Sequence, residues 1–258
     1  MTEQSSNLFK SQYQSKSEPR YGNKHRMGLI VPSLNVTIEP EFNAVLPRDI
    51  SVHATRLKLE QGDADSLEKM AERTEEACDL LASAKVDVLV YACTTGSLVK
   101  GLDWESKLVE RMKARTRAQV TTTARAVVDG LKEMNLRRIA IGTPYTQELN
   151  KIEKEFIESN GIEVTKIKGL GCMRGEDLHK YDSSKTIELA LSVDSEDVEG
   201  ILLSCTDLKT VTVIEALEKK LGKPVISSNT ATLWKSLRVM KYKNPKILGY
   251  GSLLQRNS

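Results

Sequence analysis

The sequence predicts an α/β fold of two pseudo-symmetric, doubly wound lobes, each built on a parallel sheet. Apolar, β-branched runs alternate with helical patterns along the chain, which is the order expected for parallel strands joined by helical crossovers. Two of these runs echo each other 112 residues apart, and both end in Cys-Thr, at Cys93 and Cys205. Because ligands bind outside the carboxyl ends of parallel strands, we expect the active site in the cleft between the lobes.

The 112-residue offset recurs in two further strands and therefore indicates an internal duplication. The run that ends at Pro32 falls on the run that ends at Pro144. Val52, in a third strand-like run, falls on Val164. Three strands in one register predict two related halves that face each other.

Seven short runs, most of them apolar and rich in β-branched residues, have the composition of strands. The predicted strands are 27–32, 51–57, 86–92, 137–142, 163–168, 198–204 and 223–227, with a further short candidate at 246–250. Between them, apolar residues recur at helical spacing. The predicted helices are 38–46, 64–83, 103–114, 122–134, 146–160, 183–193, 208–220 and 229–238. The threonines at 121–123 supply an N-cap for the fourth helix.

The strand order divides the chain into three parts. Residues 1–26 form a mobile N-terminal extension, since they are rich in Ser, Gln, Lys and Asn and lack the apolar core of a signal peptide. The first lobe comprises 27–122 plus 223–258, and the second lobe comprises 123–222. This division assumes that the strand after Pro224 returns to the first sheet.

The composition is that of a globular enzyme and excludes several classes of function. The 258 residues are 40% hydrophobic and 28% charged, with a net charge of +3 and no basic stripe, so nucleic acid is not an expected partner. No apolar run approaches the roughly 18 to 20 residues of a membrane span. We therefore expect no membrane association and a cytoplasmic location.

Four cysteines without close paired spacing make neither a disulfide framework nor a zinc site. Cys78 belongs to a helical pattern in which a small buried residue is expected. Cys172 lies in a glycine-rich stretch whose spacing does not match a dinucleotide-binding loop, so we interpret it as structural. Cys93 and Cys205 remain as the candidate catalytic residues. A single cysteine at a strand end is usually a packing residue, whereas two at matched positions favour catalysis.

Six short motifs follow one another in a fixed order. They are Val31 to Glu39, Cys93 to Ser97, Thr121 to Ala124, Thr143 to Thr146, Ser204 to Thr206 and Ser227 to Asn229. Together they resemble the maleate cis–trans isomerases of the aspartate/glutamate racemase superfamily, which also includes arylmalonate decarboxylases. The resemblance spans residues 27 to 240. It implies a site at the lobe interface that needs no metal or organic cofactor, a small carboxylate substrate, and a homodimer.

The resemblance implies a reaction carried by the two thiols. Cys93 adds to the alkene of a cis-dicarboxylate, and Cys205 protonates the resulting carbanion from the opposite face. A strand end that precedes a helix places oriented N–H groups near Cys93, which favours the thiolate. Rotation about the new single bond, followed by reversal of both steps, gives the trans isomer.

The expected substrate-binding residues follow the strand ends of both halves. By the resemblance, Asn35 and Tyr145 contact a substrate carboxylate. Nearby hydroxyl, amide or backbone donors complete the set: Ser33, Thr94, Thr95, Thr206 and Asn229. Helix capping by Asn35 or Asn229, and a core-edge position for Tyr145, are the open alternatives.

One loop departs from the family pattern. Maleate isomerases carry a further carboxylate-binding asparagine in the loop after the second strand of the second half, whereas residues 169–179 contain none. Arg174 supplies a positive charge there, and Glu176 and Asp177 would repel a dianion. The identity of the substrate is therefore open.

Four functions fit the pattern to different degrees. The first is isomerisation of a small cis-dicarboxylate. The second is a two-base racemase or epimerase, in which the two cysteines act on opposite faces of a carbon next to a carboxylate. A decarboxylase fits less well, because the related arylmalonate enzymes resemble this pattern with one catalytic cysteine. A non-catalytic binder of small acids is the fourth.

Overall fold

A computed structural model of the chain describes residues 20–22, 24–243 and 247–256. Of the predicted mobile extension, residues 1–19 and residue 23 lie outside the described residues. The first strand begins at His25, just before its predicted start. Residues 247–250, the described part of the eighth candidate strand, form no strand. No helix within the described residues is both long enough and apolar enough to cross a bilayer.

Strands and helices alternate as the sequence predicts. The strands are β1 His25–Pro32, β2 Ile50–Leu57, β3 Val88–Tyr91, β4 Gln119–Thr122, β5 Arg138–Thr143, β6 Glu163–Gly169, β7 Gly200–Leu203 and β8 Val225–Ser227. The helices are α1 Ile38–Val45, α2 Ala64–Ala71, α3 Thr74–Ser83, α4 Thr94–Leu98, α5 Gly101–Lys113, α6 Thr123–Glu133, α7 Gln147–Ser159, α8 Gly175–His179, α9 Ser183–Val193, α10 Ile214–Leu221 and α11 Ser228–Val239, followed by a 3₁₀ turn at Leu253–Gln255. The predicted helix at 64–83 is divided in two, and the short helices α4 and α8 were not predicted.

The eight strands form two four-stranded parallel sheets of the same topology, in the orders β2-β1-β3-β4 and β6-β5-β7-β8. The predicted α/β fold is therefore confirmed. The pairing also carries the 112-residue repeat: Met27 pairs with Val52 and Val88, and Ile139 pairs with Val164 and Gly200.

One expectation about the sheets was wrong. The strand at 223–227, which we expected in the first sheet, pairs with β7 in the second. The first sheet has its own fourth strand, β4, which pairs with β3 and occupies that edge. This strand escaped prediction because it is short and threonine-rich and runs directly into α6, whose N-cap Thr122 accepts a hydrogen bond from the Arg125 N–H.

The chain nevertheless returns to the first half through the helix that follows β8. Helix α11 packs along α6 and against strands β3 and β4 of the first sheet. Its buried residues share one apolar cluster with residues of both sheets, including Val90 and Ile226. The two halves are therefore joined by a common core, and the carboxyl ends of both sheets face the same space.

Candidate active site

A single cavity lies where the carboxyl ends of the two sheets meet. Its wall is formed by the loops after β1, β2 and β3 of the first sheet and after β5, β6 and β7 of the second. It encloses about 630 Å³, counting the space at its mouth that is open to solvent. The structure brings seven of the nine predicted site residues to this wall: Asn35, Cys93, Thr94, Thr95, Tyr145, Cys205 and Thr206.

Cys93 is held at the start of a short helix. It is the N-cap residue of α4, and its Sγ accepts a hydrogen bond from the Gly96 N–H at 3.4 Å. The Thr95 hydroxyl lies 4.0 Å from the same sulfur. Burial raises the pKa of the Cys93 thiol to about 11, although both contacts act in the opposite direction. The expectation that the helix start would favour the thiolate is therefore reversed, because desolvation of the sulfur outweighs the nearby N–H group.

Cys205 occupies the equivalent position in the second half, with an unusual backbone. Its φ of 149° is positive, a conformation that is uncommon for a residue with a side chain. The Asp207 N–H donates to its Sγ at 3.3 Å, and the Tyr145 side chain hydrogen-bonds the same thiol. Burial, followed by the charge of Asp207, raises the pKa of Cys205 far above its ordinary value.

The hydroxyl of Ser228 connects the loops that carry the two thiols. It accepts a hydrogen bond from Thr94 Oγ1 at 2.9 Å and another from the Cys205 N–H at 3.1 Å. Ser228 is fully buried at the start of α11, the helix that spans both halves. One oxygen atom therefore links the two half-sites directly.

A second bridge between the halves uses two of the predicted binding residues. Asn35 Nδ2 donates to Thr206 Oγ1 at 2.9 Å, and the Thr206 hydroxyl donates to the carbonyl of Ala92 at 3.1 Å. Asn35 Oδ1 accepts from the N–H groups of Thr37 and Ile38 at 3.0 Å. Asn35 thus bonds the first N–H groups of α1 and also lies on the cavity wall, so capping is observed and contact with a substrate stays a prediction.

Two predicted binding residues, Ser33 and Asn229, are not part of the cavity wall. Ser33 Oγ accepts from the Leu59 N–H at 3.0 Å and so fixes the loop after β2. Asn229 is fully buried, and its amide donates to the Thr206 carbonyl at 3.1 Å and to Glu41. Both side chains hold loops that line the cavity, so their placement corresponds to support rather than to substrate contact.

The remainder of the wall is apolar and carries two charged side chains. Leucines form much of the surface: Leu34, Leu59, Leu67, Leu149 and Leu178. Among the described residues of the wall, Arg174 supplies the cationic side chain and is 63% exposed. Asp207 supplies the anionic one and lies 2.8 Å from His179 Nε2. A ligand therefore meets polar groups near the thiols, a cation at the mouth and hydrocarbon elsewhere.

The other two cysteines differ in their relation to the site. Cys78 is fully buried in the core beneath the first sheet, as predicted. Cys172, which we interpreted as structural, is partly exposed and lines the cavity. In the described part of the chain, no cluster of three or more His, Cys, Asp or Glu side chains could hold a metal ion.

Ser228 and Asp207 are important site residues that sequence reasoning missed. Ser228 lies within the motif Ser227 to Asn229, but nothing local distinguishes a serine that caps a helix from one that bridges two loops. Asp207 could have been found through the repeat, because the 112-residue offset places it opposite Thr95.

Comparison with known proteins agrees with this geometry. A family model described as arylmalonate decarboxylase matches residues 27–254. A maleate isomerase from Geobacillus stearothermophilus is 30% identical over 246 residues, which cover 90% of this chain and 98% of the relative. An arylmalonate decarboxylase from Bordetella bronchiseptica is 27% identical over 233 residues, which cover 90% and 97%. A solved cysteine-to-serine mutant of the Nocardia farcinica maleate cis–trans isomerase, with a covalently bound succinylcysteine intermediate, is similar with a TM-score of 0.85 and 27% identity, covering 91% of this chain and 99% of that one.

Proposed function

The chain belongs to the arylmalonate decarboxylase family and is an isomerase with a cysteine-based site, and from this premise we propose that it interconverts the cis and trans forms of a small dicarboxylate, as in maleate to fumarate. The observation that carries the proposal is the pair of thiols, Cys93 and Cys205, at equivalent strand ends on the wall of one cavity. The succinylcysteine adduct in a related isomerase supports covalent chemistry at such a site.

The proposed reaction moves one proton and one sulfur. The reaction starts from the form of the site in which Cys93 has given its proton to solvent, which is the minor form near neutral pH because burial raises the pKa of the thiol. In that form the Cys93 thiolate bonds to one alkene carbon, and the electron pair of the double bond passes to the neighbouring carbon, where the adjacent carboxylate delocalises it. The Cys205 S–H then gives its proton to that carbon. After rotation by about half a turn, the Cys205 thiolate removes a proton, the double bond re-forms and Cys93 leaves as a thiolate. The two cysteines end in the states in which they began.

Binding of a dicarboxylate requires donors at two places. Asn35 Nδ2 and the hydroxyls that follow the two cysteines supply neutral donors beside the thiols. Arg174, across the cavity in the loop after β6, supplies a charged donor for the second carboxylate. With the carboxylates bound in this way, the proposal puts the alkene between Cys93 and Cys205 for addition and protonation.

Racemisation of a carbon next to a carboxylate is the second candidate, and the same observation favours it. Two thiols on one cavity can remove and return a proton from opposite faces. The two reactions differ in their products, because a racemase inverts a stereocentre and exchanges the α-proton with solvent.

Proton NMR in deuterated water distinguishes these reactions. The purified chain is incubated separately with maleate, with other cis-dicarboxylates and with a panel of amino acids. Appearance of the trans-diacid signal supports the proposal. Exchange and inversion of an amino acid without isomerisation would favour the racemase, release of carbon dioxide from an arylmalonate would favour a decarboxylase, and inactivity with every compound would favour a binder.

Cysteine variants test the assignment of roles. We expect Cys205→Ser to accumulate an adduct on Cys93, detected by intact-mass and peptide mass spectrometry, and Cys93→Ser to form none. Cys78→Ala is the matched control, because Cys78 is buried away from the cavity and should leave turnover intact. Full activity of either catalytic-site variant would contradict the mechanism.

A further inference from the structure

The two half-sites differ at one position that the repeat makes directly comparable. Each catalytic-site cysteine follows a buried strand, is followed by a threonine and accepts a backbone N–H bond at its sulfur. Thr95, which is neutral, stands two residues after Cys93, and Asp207 stands two residues after Cys205. The duplication thus places a hydroxyl in one half where it places a carboxylate in the other.

The carboxylate of Asp207 is fixed firmly in place. It is 9% exposed, its Oδ1 accepts from the Val36 N–H at 2.8 Å, and its Oδ2 lies 2.8 Å from His179 Nε2. Its backbone carbonyl accepts from the Thr37 hydroxyl at 3.0 Å, and its N–H donates to Cys205 Sγ. Contacts from α8 and from the loop after β1 therefore hold this negative charge beside Cys205.

Several other ionisable groups surround Cys205. Tyr145 hydrogen-bonds the thiol from the loop after β5, and Cys93 faces it from the first half. Glu153 of α7 is fully buried, bonds Ser204 and acts on Tyr145. Arg174 lies on the cavity wall, and His179 reaches Cys205 only through Asp207. Among these groups, Asp207 is the carboxylate whose charge acts on Cys205, and its backbone N–H contacts the sulfur.

We propose that Asp207 makes the thiols of the two half-sites unequal: its carboxylate keeps Cys205 protonated and able to donate, whereas neutral Thr95 leaves Cys93 as the nucleophile. A fixed negative charge opposes formation of a second one nearby. Asp207 is thus a positioning residue that acts through Cys205. The catalytic roles rest on the proposed function, but the difference in acidity between the thiols does not.

The causes of the pKa shifts of the two thiols have the direction that this proposal requires. Burial raises the pKa of both, and Asp207 is the next largest cause for Cys205. For Cys93, the further contributions come from Gly96 and Thr95 and lower its pKa.

The variant Asp207→Asn removes the charge and keeps the shape. The asparagine oxygen can accept from the Val36 N–H, and its amide lies beside the His179 ring. In a Cys93→Ala background, alkylation of Cys205 by iodoacetamide is followed by peptide mass spectrometry at one mildly alkaline pH. Loss of a neighbouring like charge changes a pKa by about 1 to 2 units, so we expect alkylation to accelerate about ten- to a hundredfold.

Two controls separate charge from structural damage. Cys172, on the same cavity wall, is an internal reference whose alkylation rate should not change. His179→Gln removes the partner of Asp207 but keeps the carboxylate, so Cys205 should stay as slow as in the parent. Equal acceleration of Cys172 and Cys205, equal acceleration by His179→Gln, or an unchanged Cys205 rate in Asp207→Asn would each overturn the proposal.

The pH profile of turnover gives a second readout in the full enzyme. With both cysteines present, Asp207→Asn should move the alkaline loss of kcat to lower pH, because Cys205 then loses its proton sooner. An unmoved alkaline limb would also overturn the proposal. If no substrate is turned over, the proposed function fails, but the alkylation experiment still decides whether Asp207 controls Cys205.

Discussion

Replacing Ser228 by alanine removes the oxygen atom on which both half-sites depend. Its hydroxyl accepts from Thr94 Oγ1 at 2.9 Å and from the Cys205 N–H at 3.1 Å, and no part of the residue is exposed. A buried donor that is left without an acceptor lowers the free energy of unfolding by about 1–3 kcal/mol. The Thr94 hydroxyl can rotate away from the lost oxygen, whereas the Cys205 N–H is held by the backbone and cannot. We expect Ser228→Ala to lower the free energy of unfolding by about 2–4 kcal/mol.

The same helix provides a matched control. Ser236 is also fully buried in α11, but its hydroxyl has no hydrogen-bond partner among the described residues. Ser236→Ala removes the same atom type without freeing a donor, so its free energy of unfolding should stay within about 0.5 kcal/mol of the parent or rise.

Urea denaturation, followed by circular dichroism, measures both variants against the parent protein. Midpoints and slopes are compared, because a changed slope would indicate a changed unfolded state rather than a lost contact. Equal losses of stability in Ser228→Ala and Ser236→Ala would refute the reasoning, as would a Ser228→Ala protein as stable as the parent.

Three further predictions concern single groups of the site and its surroundings. Asn35→Ala loses the proposed substrate donor and a helix cap, so kcat/KM for the proposed dicarboxylate should fall about ten- to a hundredfold and the free energy of unfolding by about 1 kcal/mol; unchanged steady-state kinetics would contradict this. Because burial raises the pKa of Cys93 to about 11, its alkylation rate should rise about tenfold per pH unit through neutral and mildly alkaline pH, and a plateau near neutrality would exclude this. Burial raises the pKa of Glu153 from 4.5 to about 7. The protonated form of Glu153 therefore stabilises the fold, and this contribution is fully present below pH 4.5. As the pH rises from 4.5 through about 7, the free energy of unfolding falls by about 3 kcal/mol. Glu153→Gln should flatten the dependence of unfolding free energy on pH in that window, and an unchanged slope would be the contrary result.

The internal repeat was readable from the sequence because buried strands are continuous apolar runs. The pairing of Met27 with Val52 and of Ile139 with Val164 follows the offset seen in the sequence. One edge strand of the first sheet, β4, was not readable in the same way. Strand β4 is short, exposed at its start and rich in threonine, so hydrophobic periodicity gives it no signal.

The candidate site was predictable in its thiols and several donors, but not in their acidity. A strand end before a helix correctly predicts an N–H bond to Cys93, yet the balance between that bond and desolvation depends on how deeply the sulfur is buried. Residues that connect two loops through one atom, such as Ser228, depend on tertiary placement. Sequence spacing carries no information on such contacts.

The passage of α11 from the second sheet to the first has a consequence for biosynthesis. A ribosome makes the chain from its amino terminus, so strands β3 and β4 are complete well before Ser228–Val239 arrive to cover them. The first half therefore cannot close its core on its own, and its apolar surface stays open until α11 has emerged. Although its two halves are repeats, the protein must mature as one unit, and a nascent chain that stops short of α11 is a target for chaperones and proteases.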